Sequence, residues 1–187
     1  MSRLVPKIDR ASLILALKSA LVGCLIFGSY GAIQDQITFS ISREYFTLLK
    51  FDQFAWAHPG FKNSLWFVAV IGFIAAGGGG AISGWVLARI AISSGKPISV
   101  RGVMRDFWLC PVGALTLGLV GFLCGRIFPT PKSWLEWMDG FITNQRGFAD
   151  VGMIHNFPYV GAISGLVIAA ILLKKRLSRL QKNGNPA

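Results

Sequence analysis

The chain carries little charge, and acidic residues are the scarcest. Of its 187 residues 14% are charged, and 8 of these are acidic against 19 basic. Soluble domains usually contain about 25% charged residues, so this composition excludes an ordinary soluble protein. A net charge of +11 would suggest a nucleic-acid partner in a soluble protein, but the placement of the charges gives it another origin, described below. We expect a single membrane domain over residues 1–187.

Residues that build metal, disulfide or catalytic sites are also few. The three cysteines, Cys24, Cys110 and Cys124, lie in apolar segments without C-x-x-C spacing. This excludes a disulfide or metal framework and indicates buried apolar side chains. The sequence has two histidines and no H-E-x-x-H, nucleophile-elbow or P-loop motif. We therefore expect no metal and no cofactor.

Long apolar runs are what the sequence has instead. About 20 apolar residues suffice to cross the ~30 Å hydrocarbon core of a bilayer. The predicted spans cover residues 11–32, 65–91, 107–127 and 157–173. The first resembles a signal peptide, but Lys18 interrupts it and it stays apolar beyond Cys24, so we expect an uncleaved helix. The predicted fold is all-α, an integral membrane four-helix bundle.

Small residues recur every four positions along the second span and again along the fourth. Because lipid chains are as apolar as the helices themselves, membrane helices associate through close backbone contact along such stripes. We predict helix-packing seams at Gly72, Ala76, Gly80, Gly84, Ala88, Gly161 and Gly165.

The basic residues lie on one side of the predicted bundle. The amino terminus, the middle loop and the tail hold 13 Lys and Arg, with Lys18 and Arg89 included, against 2 Asp. The two long loops hold six residues of each sign. Segments rich in Lys and Arg stay in the cytoplasm, so both termini are predicted to be cytoplasmic and both long loops extracytoplasmic. Contact with the lipid bilayer explains the basic tail, and no nucleic-acid partner is implied.

The first long loop, residues 33–63, is predicted to be ordered. The alternation of apolar and polar residues from Ile37 to Ile41 is typical of a short strand. Ser42 is placed to cap a helix over residues 43–56, and the many aromatic side chains of that helix favour a position in the membrane interface. Together the two long loops would form an ordered extracytoplasmic cap.

Polar side chains gather where the first span ends, where the loop helix starts and where the fourth span begins. The candidate cluster is Asp35, Gln36, Thr38, Glu44, Tyr45, His155, Asn156 and Tyr159. A metal site of His155, Asp35 and Glu44 has suitable ligand types. The alternative is structural, with the carboxylates and Asn156 ending or capping helices and Tyr159 in the aromatic belt. The predicted spans contain no acidic residue, which argues against a proton-coupled carrier.

One stretch of the first loop resembles a known family. The run from Asp35 to Thr47, D-Q-I-T-F-S-I-S-R-E-Y-F-T, continues shortly afterwards with K-F-x-Q-F. It is similar to the first loop, D-Q-x-T…S-x-E-Y-F-T, of small uncharacterised bacterial multi-pass inner-membrane proteins. Gln34 stands where those proteins often have His. The resemblance implies a multi-pass protein of the bacterial inner (plasma) membrane and implies no activity.

Two classes of function fit these observations. The one favoured by the sequence is a non-catalytic accessory or scaffold protein that acts through its loops on a membrane-protein partner or a second copy of the chain. The other is a membrane enzyme or small-solute permease that uses the Asp/Glu/His/Tyr cluster. Distances among the two carboxylates, His155 and Tyr159 discriminate between them, since convergence beside a cavity favours the second class and scattered helix caps favour the first.

Overall fold

The chain is helical throughout the computed structural model, which describes residues 9–58, 60 and 64–182, with backbone alone for 181 and 182. The elements in chain order are α1 (Arg10–Ile41), α2 (Arg43–Tyr45), a π-helical turn (Phe46–Lys50), α3 (Phe51–Gln53), a 3₁₀ turn (Ala55–Ala57), α4 (Ser64–Ser93), α5 (Val100–Phe107), α6 (Leu109–Ile127), α7 (Lys132–Met138) and α8 (Gln145–Lys182). Four stretches, α1, α4, α5 with α6, and α8, are long and apolar enough to cross a membrane. The prediction of an all-α protein with four candidate spans is confirmed. The remaining residues, which hold part of the basic amino terminus and tail, lie outside the described ranges.

The predicted strand over Ile37–Ile41 is wrong, because α1 continues through it as a helix. No strand occurs among the residues that the structure describes. Burial here follows the helical period: Asp35, Thr38 and Phe39 are buried and share one face, while Ile37 is exposed. The alternation of apolar and polar residues therefore belongs to a helix whose buried face carries both polar and apolar side chains.

Ser42 caps the loop helix, as predicted, and it also ends α1. Its hydroxyl accepts a hydrogen bond from the backbone N–H of Tyr45 at 3.4 Å. Helical turns of three kinds then follow one another from Arg43 to Ala57, with the π-helical turn in the middle. The helix predicted over residues 43–56 is thus present, though it is not a regular α-helix.

The last long helix, α8, begins at Gln145 and not near residue 157. Asn144 caps it, since its Oδ1 accepts from the backbone N–H of Gly147 at 2.9 Å. Asn156, predicted as the cap, lies inside the helix. Hydropathy predicts a loop for the polar residues before 157. In the structure Phe148, Val151 and His155 form a buried helical face there.

The predicted seam in α4 faces the backbone of α1. A Cβ atom added at Gly72, Gly80 or Gly84 would overlap a backbone carbonyl oxygen of α1. Those oxygens belong to Gly31, Gly23 and Ser19 respectively. Ala76 lies beside the same stripe, and Ala88 is fully buried. Close backbone contact therefore joins α1 and α4 into a tight pair.

The predicted seam in α8 joins that helix to α6 in the same way. A Cβ added at Gly161 would overlap the carbonyl oxygen of Gly113, and one at Gly165 that of Leu109. The bundle thus consists of two tight helix pairs, α1 with α4 and α6 with α8, whose contacts with each other are less extensive.

A separate apolar cluster covers the end of the bundle that carries the two long loops. We call these loops, residues 42–57 and 128–144, the cap, and that end of the bundle the loop face. The buried members of the cluster are Phe39, Tyr45, Phe46, Val68, Met138, Ile142, Phe148 and Val151. Because both loops contribute side chains to it, the cap is a single packed unit.

Candidate functional site

Asp35 and His155 meet at the loop face. Asp35 lies in α1 and His155 in α8, and Asp35 Oδ1 is 3.0 Å from His155 Nε2. Both side chains are buried, with residue exposures of 4% and 8%. Because α1 continues to Ile41, Asp35 lies within the helix that forms the first candidate span, beyond the predicted span of residues 11–32.

The second ring nitrogen of His155 indicates how many protons this pair carries. Nδ1 lies 2.8 Å from the carbonyl oxygen of Val151. A carbonyl only accepts hydrogen bonds, so Nδ1 carries a hydrogen. The contact between Nε2 and Asp35 then needs one more proton, carried either by the imidazole or by the carboxyl group. In both forms the pair holds one shared proton and has no net charge.

Two aromatic side chains of the cap enclose His155. The ring of Tyr45 stacks on the imidazole with centroids 5.0 Å apart and planes 25° apart, and Phe46 contacts it edge-on at 6.0 Å. Desolvation raises the pKa of Tyr45 above its ordinary value of 10.0, and the neighbouring Tyr159 and Asp35 raise it further. Tyr45 therefore stays a neutral phenol, and it links the cap to the buried pair.

Gln34 compensates for a proline inside α8. Pro158 has no N–H, so it leaves the carbonyl oxygen of Ile154 without its helical donor. Gln34 Nε2 donates to that oxygen at 3.2 Å. This fixes the orientation of the amide, and its Oε1 is buried with no hydrogen-bond donor in the described part of the chain. Gln34 was not in the predicted cluster. The predicted span of residues 157–173 places Pro158 in its first turn, where no donor is needed.

A cavity of about 310 Å³ lies between the two helix pairs, with the Asp35–His155 pair at one end. Its walls are mostly apolar side chains of α1, α4 and α8. The polar end is lined by Tyr30, Gln34, Asp35, Lys50, His155 and Tyr159. Ile82 of α4 and Ile163 of α8 border it and are 65% and 64% exposed. The cavity therefore opens sideways between α4 and α8, on the surface that would face lipid.

Lys50 is the cation of this site, and it was not among the predicted residues. It comes from the π-helical turn and lines the cavity. Its Nζ lies 5.8 Å from the ring centroid of Tyr45 and 5.9 Å from that of Phe54. No carboxylate of the described residues lies within ion-pair distance of it. Desolvation lowers the pKa of Lys50, and the charge of Asp35 opposes this shift.

Glu44 does not join the pair. Its carboxylate accepts hydrogen bonds from the backbone N–H groups of Thr143 at 2.9 Å and Asn144 at 2.8 Å, and from the Thr143 hydroxyl. These bonds, that of the hydroxyl foremost, lower the pKa of Glu44. Glu44 therefore ties the two loops of the cap together and is not a third ligand beside Asp35 and His155.

The remaining predicted residues divide between structural positions and the cavity. Gln36 Nε2 donates to the carbonyl oxygen of Leu65 at 2.8 Å. Thr38 donates to carbonyl oxygens of its own helix, and Asn156 is exposed on α8. Tyr159 lines the cavity and is half exposed. Three residues of the predicted cluster therefore line the cavity, Asp35, His155 and Tyr159, and a fourth, Tyr45, contacts His155 from the cap.

The described side chains do not suggest a metal centre. No group of three or more His, Cys, Asp and Glu that could hold a metal ion occurs among them. A second buried carboxylate, Asp150, lies 3.3 Å from the Nε of Arg126 and 3.4 Å from that of Arg146. Arg146 also donates to carbonyl oxygens at the end of α6, so this group holds α6 and α8 together at the loop face.

Comparison of the chain with protein-family models, with curated proteins and with solved structures found no match. The resemblance of the first loop to bacterial inner-membrane proteins stays a prediction, and function has to be argued from the geometry of the site.

Proposed function

We propose that the chain is a bacterial inner-membrane protein that binds a small amphiphilic molecule in the cavity between its helix pairs, as a permease or a membrane enzyme would. The observation that carries this proposal is the Asp35–His155 pair, buried at 3.0 Å at the polar end of that cavity. Convergence beside a cavity was the outcome expected of a ligand-binding protein. Scattered helix caps, expected of a scaffold, do not describe the pair.

The position of the pair supports a functional role. Desolvation of a buried ion pair usually offsets its Coulombic attraction, so such a pair contributes little stability compared with apolar side chains of similar size. Ionisable side chains at membrane depth accordingly mark ligand or proton pathways more often than packing. An apolar cavity with a few convergent polar groups is the usual form of a small-molecule site.

The charge distribution supports an orientation with the cap on the extracytoplasmic side of the membrane and the termini in the cytoplasm. Gly60, Gly95 and Gly140 offer fusion points, since all three have positive φ in connecting segments. A reporter that is active only outside the cytoplasm should be active when fused after Gly60 or Gly140 and inactive after Gly95. The opposite pattern would contradict the orientation.

Two neighbouring glycines of α4 provide a test of the cavity. A Cβ atom at Gly78 or Gly79 would meet nothing within 4 Å, so a larger side chain can start at either position without a clash. Gly79 lines the cavity and Gly78 does not. Gly79→Leu should place a side chain in the cavity and reduce small-molecule adducts on the protein roughly tenfold or more, because it obstructs the space that the occupant needs. Native mass spectrometry of protein released from detergent measures this.

Gly78→Leu is the matched control for this experiment, and it should retain the adducts of the unmodified protein. Both substitutions replace glycine by a better helix former, so a difference between them reports on the cavity and not on helix stability. Identical adducts on the unmodified protein, Gly78→Leu and Gly79→Leu would contradict the proposal.

A scaffold role is the second candidate, favoured by large aromatic side chains left exposed on the cap. Trp56, Trp137 and Phe141 are 74%, 56% and 51% exposed. Such side chains suit the membrane interface or a contact with a partner protein. A scaffold does not need an occupied cavity, so the comparison of Gly79→Leu with Gly78→Leu also separates the two candidates.

A further inference from the structure

Building on the proposed function, we propose that the ligand is an anionic amphiphile, a hydrocarbon chain that ends in a carboxylate or a phosphate. The acidic head lies against Lys50 at the polar end of the cavity. The chain occupies the apolar part and reaches it through the opening between α4 and α8.

The charge of the site determines the sign of the head. The Asp35–His155 pair holds one shared proton and is neutral, as its hydrogen bonds require. Lys50 is therefore the one charged side chain among the described residues of the cavity lining that has no ion-pair partner within 4 Å. A half-buried cation without a counter-ion is unfavourable, and an anionic head supplies the missing partner.

The shape and lining of the cavity call for a hydrocarbon chain attached to that head. Apart from Ser83, whose hydroxyl donates to the Gly79 carbonyl oxygen of its own helix, the polar side chains lie at the end near the cap, and the rest is lined by residues such as Ile71, Ala162 and Leu166. The opening lies between two helices that are candidate membrane spans, bordered by the exposed Ile82 and Ile163. A molecule dissolved in the bilayer can enter there without crossing water, whereas a small hydrophilic anion would leave the apolar part unfilled.

Gln34 adds a hydrogen-bond acceptor to the polar end. Its amide nitrogen is held by Ile154, and its Oε1 is buried without a hydrogen-bond donor among the described residues. A protonated ligand group would satisfy this oxygen only if the Gln34 side chain shifted toward the cavity, so the charge of Lys50 is the feature that selects the head.

Equilibrium binding to the full chain in phosphatidylcholine nanodiscs tests the proposal. The probes are radiolabelled hexadecyl phosphate, palmitate and, as a neutral match of equal chain length, hexadecanol, each corrected for uptake by empty nanodiscs. We expect at least one of the two anions to bind saturably and about tenfold or more tighter than hexadecanol, as is typical of hydrogen bonds to charged groups. Lys50→Gln should remove this preference, and Lys50→Arg should keep most of it.

Hexadecanol also serves as the folding control. Its binding should be the same for Lys50→Gln as for the unmodified protein, which shows that the cavity is intact. If hexadecanol binds the unmodified protein as tightly as both anions, and Gly79→Leu blocks all three probes, the anionic head is refuted while the ligand-binding function stands. If no probe binds in a way that Gly79→Leu blocks and Gly78→Leu spares, both the ligand class and the proposed function fail.

Discussion

Gly80→Leu should leave little folded protein in detergent, whereas Gly78→Leu on the same helix should fold normally. A Cβ atom at position 80 would overlap the backbone carbonyl oxygen of Gly23 and lie 2.6 Å from the Cβ of Phe27. Backbone atoms cannot rotate away as a side chain can, so α1 and α4 would have to separate. Overpacking typically costs ~1–3 kcal/mol and occasionally more, and we expect the upper end here, ~3 kcal/mol or more.

Such a loss is large beside the ~5–15 kcal/mol that stabilises most folded proteins. The fraction of protein that elutes as a monodisperse peak and the midpoint of thermal unfolding both measure it. Gly78→Leu adds the same side chain where nothing lies within 4 Å, which makes it the control. Equal yields and midpoints for the two variants would mean that α1 and α4 are not held together by backbone contact.

The sequence was sufficient to locate this seam because the signal is local. Small residues four apart in α4 form one helical face wherever the helix lies. The face of α1 that contacts this seam was harder to predict. In α1 the sequence shows two neighbouring small stripes, one through Cys24 and Gly28 and one through Gly23 and Gly31, and the closest backbone contacts involve the second. Which stripe is used depends on the rotation of α1 against α4, and no local pattern in α1 contains that information.

The ends of α1 and α8 were misjudged for a related reason. Hydropathy predicts that the apolar helices end at Asp35 and His155, because ionisable groups are costly in an apolar helix. Each is satisfied by the other across 120 positions of sequence. Gln34 and Ile154, also 120 positions apart, satisfy the gap that Pro158 makes in the same region. Long-range pairing of this kind extends both helices beyond their apolar segments and brings the site together.

For Glu44, the sequence indicated a carboxylate that accepts hydrogen bonds, but it did not indicate which residues donate them. A carboxylate after Ser42 was expected to cap its own loop helix. It accepts instead from backbone and side chain of Thr143 and from the backbone of Asn144, about 100 positions away. A carboxylate accepts from any nearby donor, and the packing of the two loops decides which donors are near.

His155→Leu is expected to have the largest effect within the site, because it leaves Asp35 without a partner. Asp35 is 4% exposed, and removing one member of a buried ion pair typically costs 3–5 kcal/mol, since it leaves an uncompensated charge, so we expect a loss of ~3–5 kcal/mol here. Asp35→Asn should cost only about 1 kcal/mol. The asparagine amide can donate to Nε2 of a neutral imidazole, and Nδ1 keeps its hydrogen bond to Val151.

Reversible unfolding in mixed micelles, followed by circular dichroism, measures both losses. The double variant, Asp35→Asn with His155→Leu, contains no buried charge at this position and should be more stable than His155→Leu alone. That recovery is the decisive result, because a cost due only to lost packing of the imidazole against Tyr45 would persist in the double variant. If His155→Leu and the double variant are equally unstable, Asp35 is not held by His155 as a shared-proton pair, and the polar end of the cavity loses the feature on which its assignment rests.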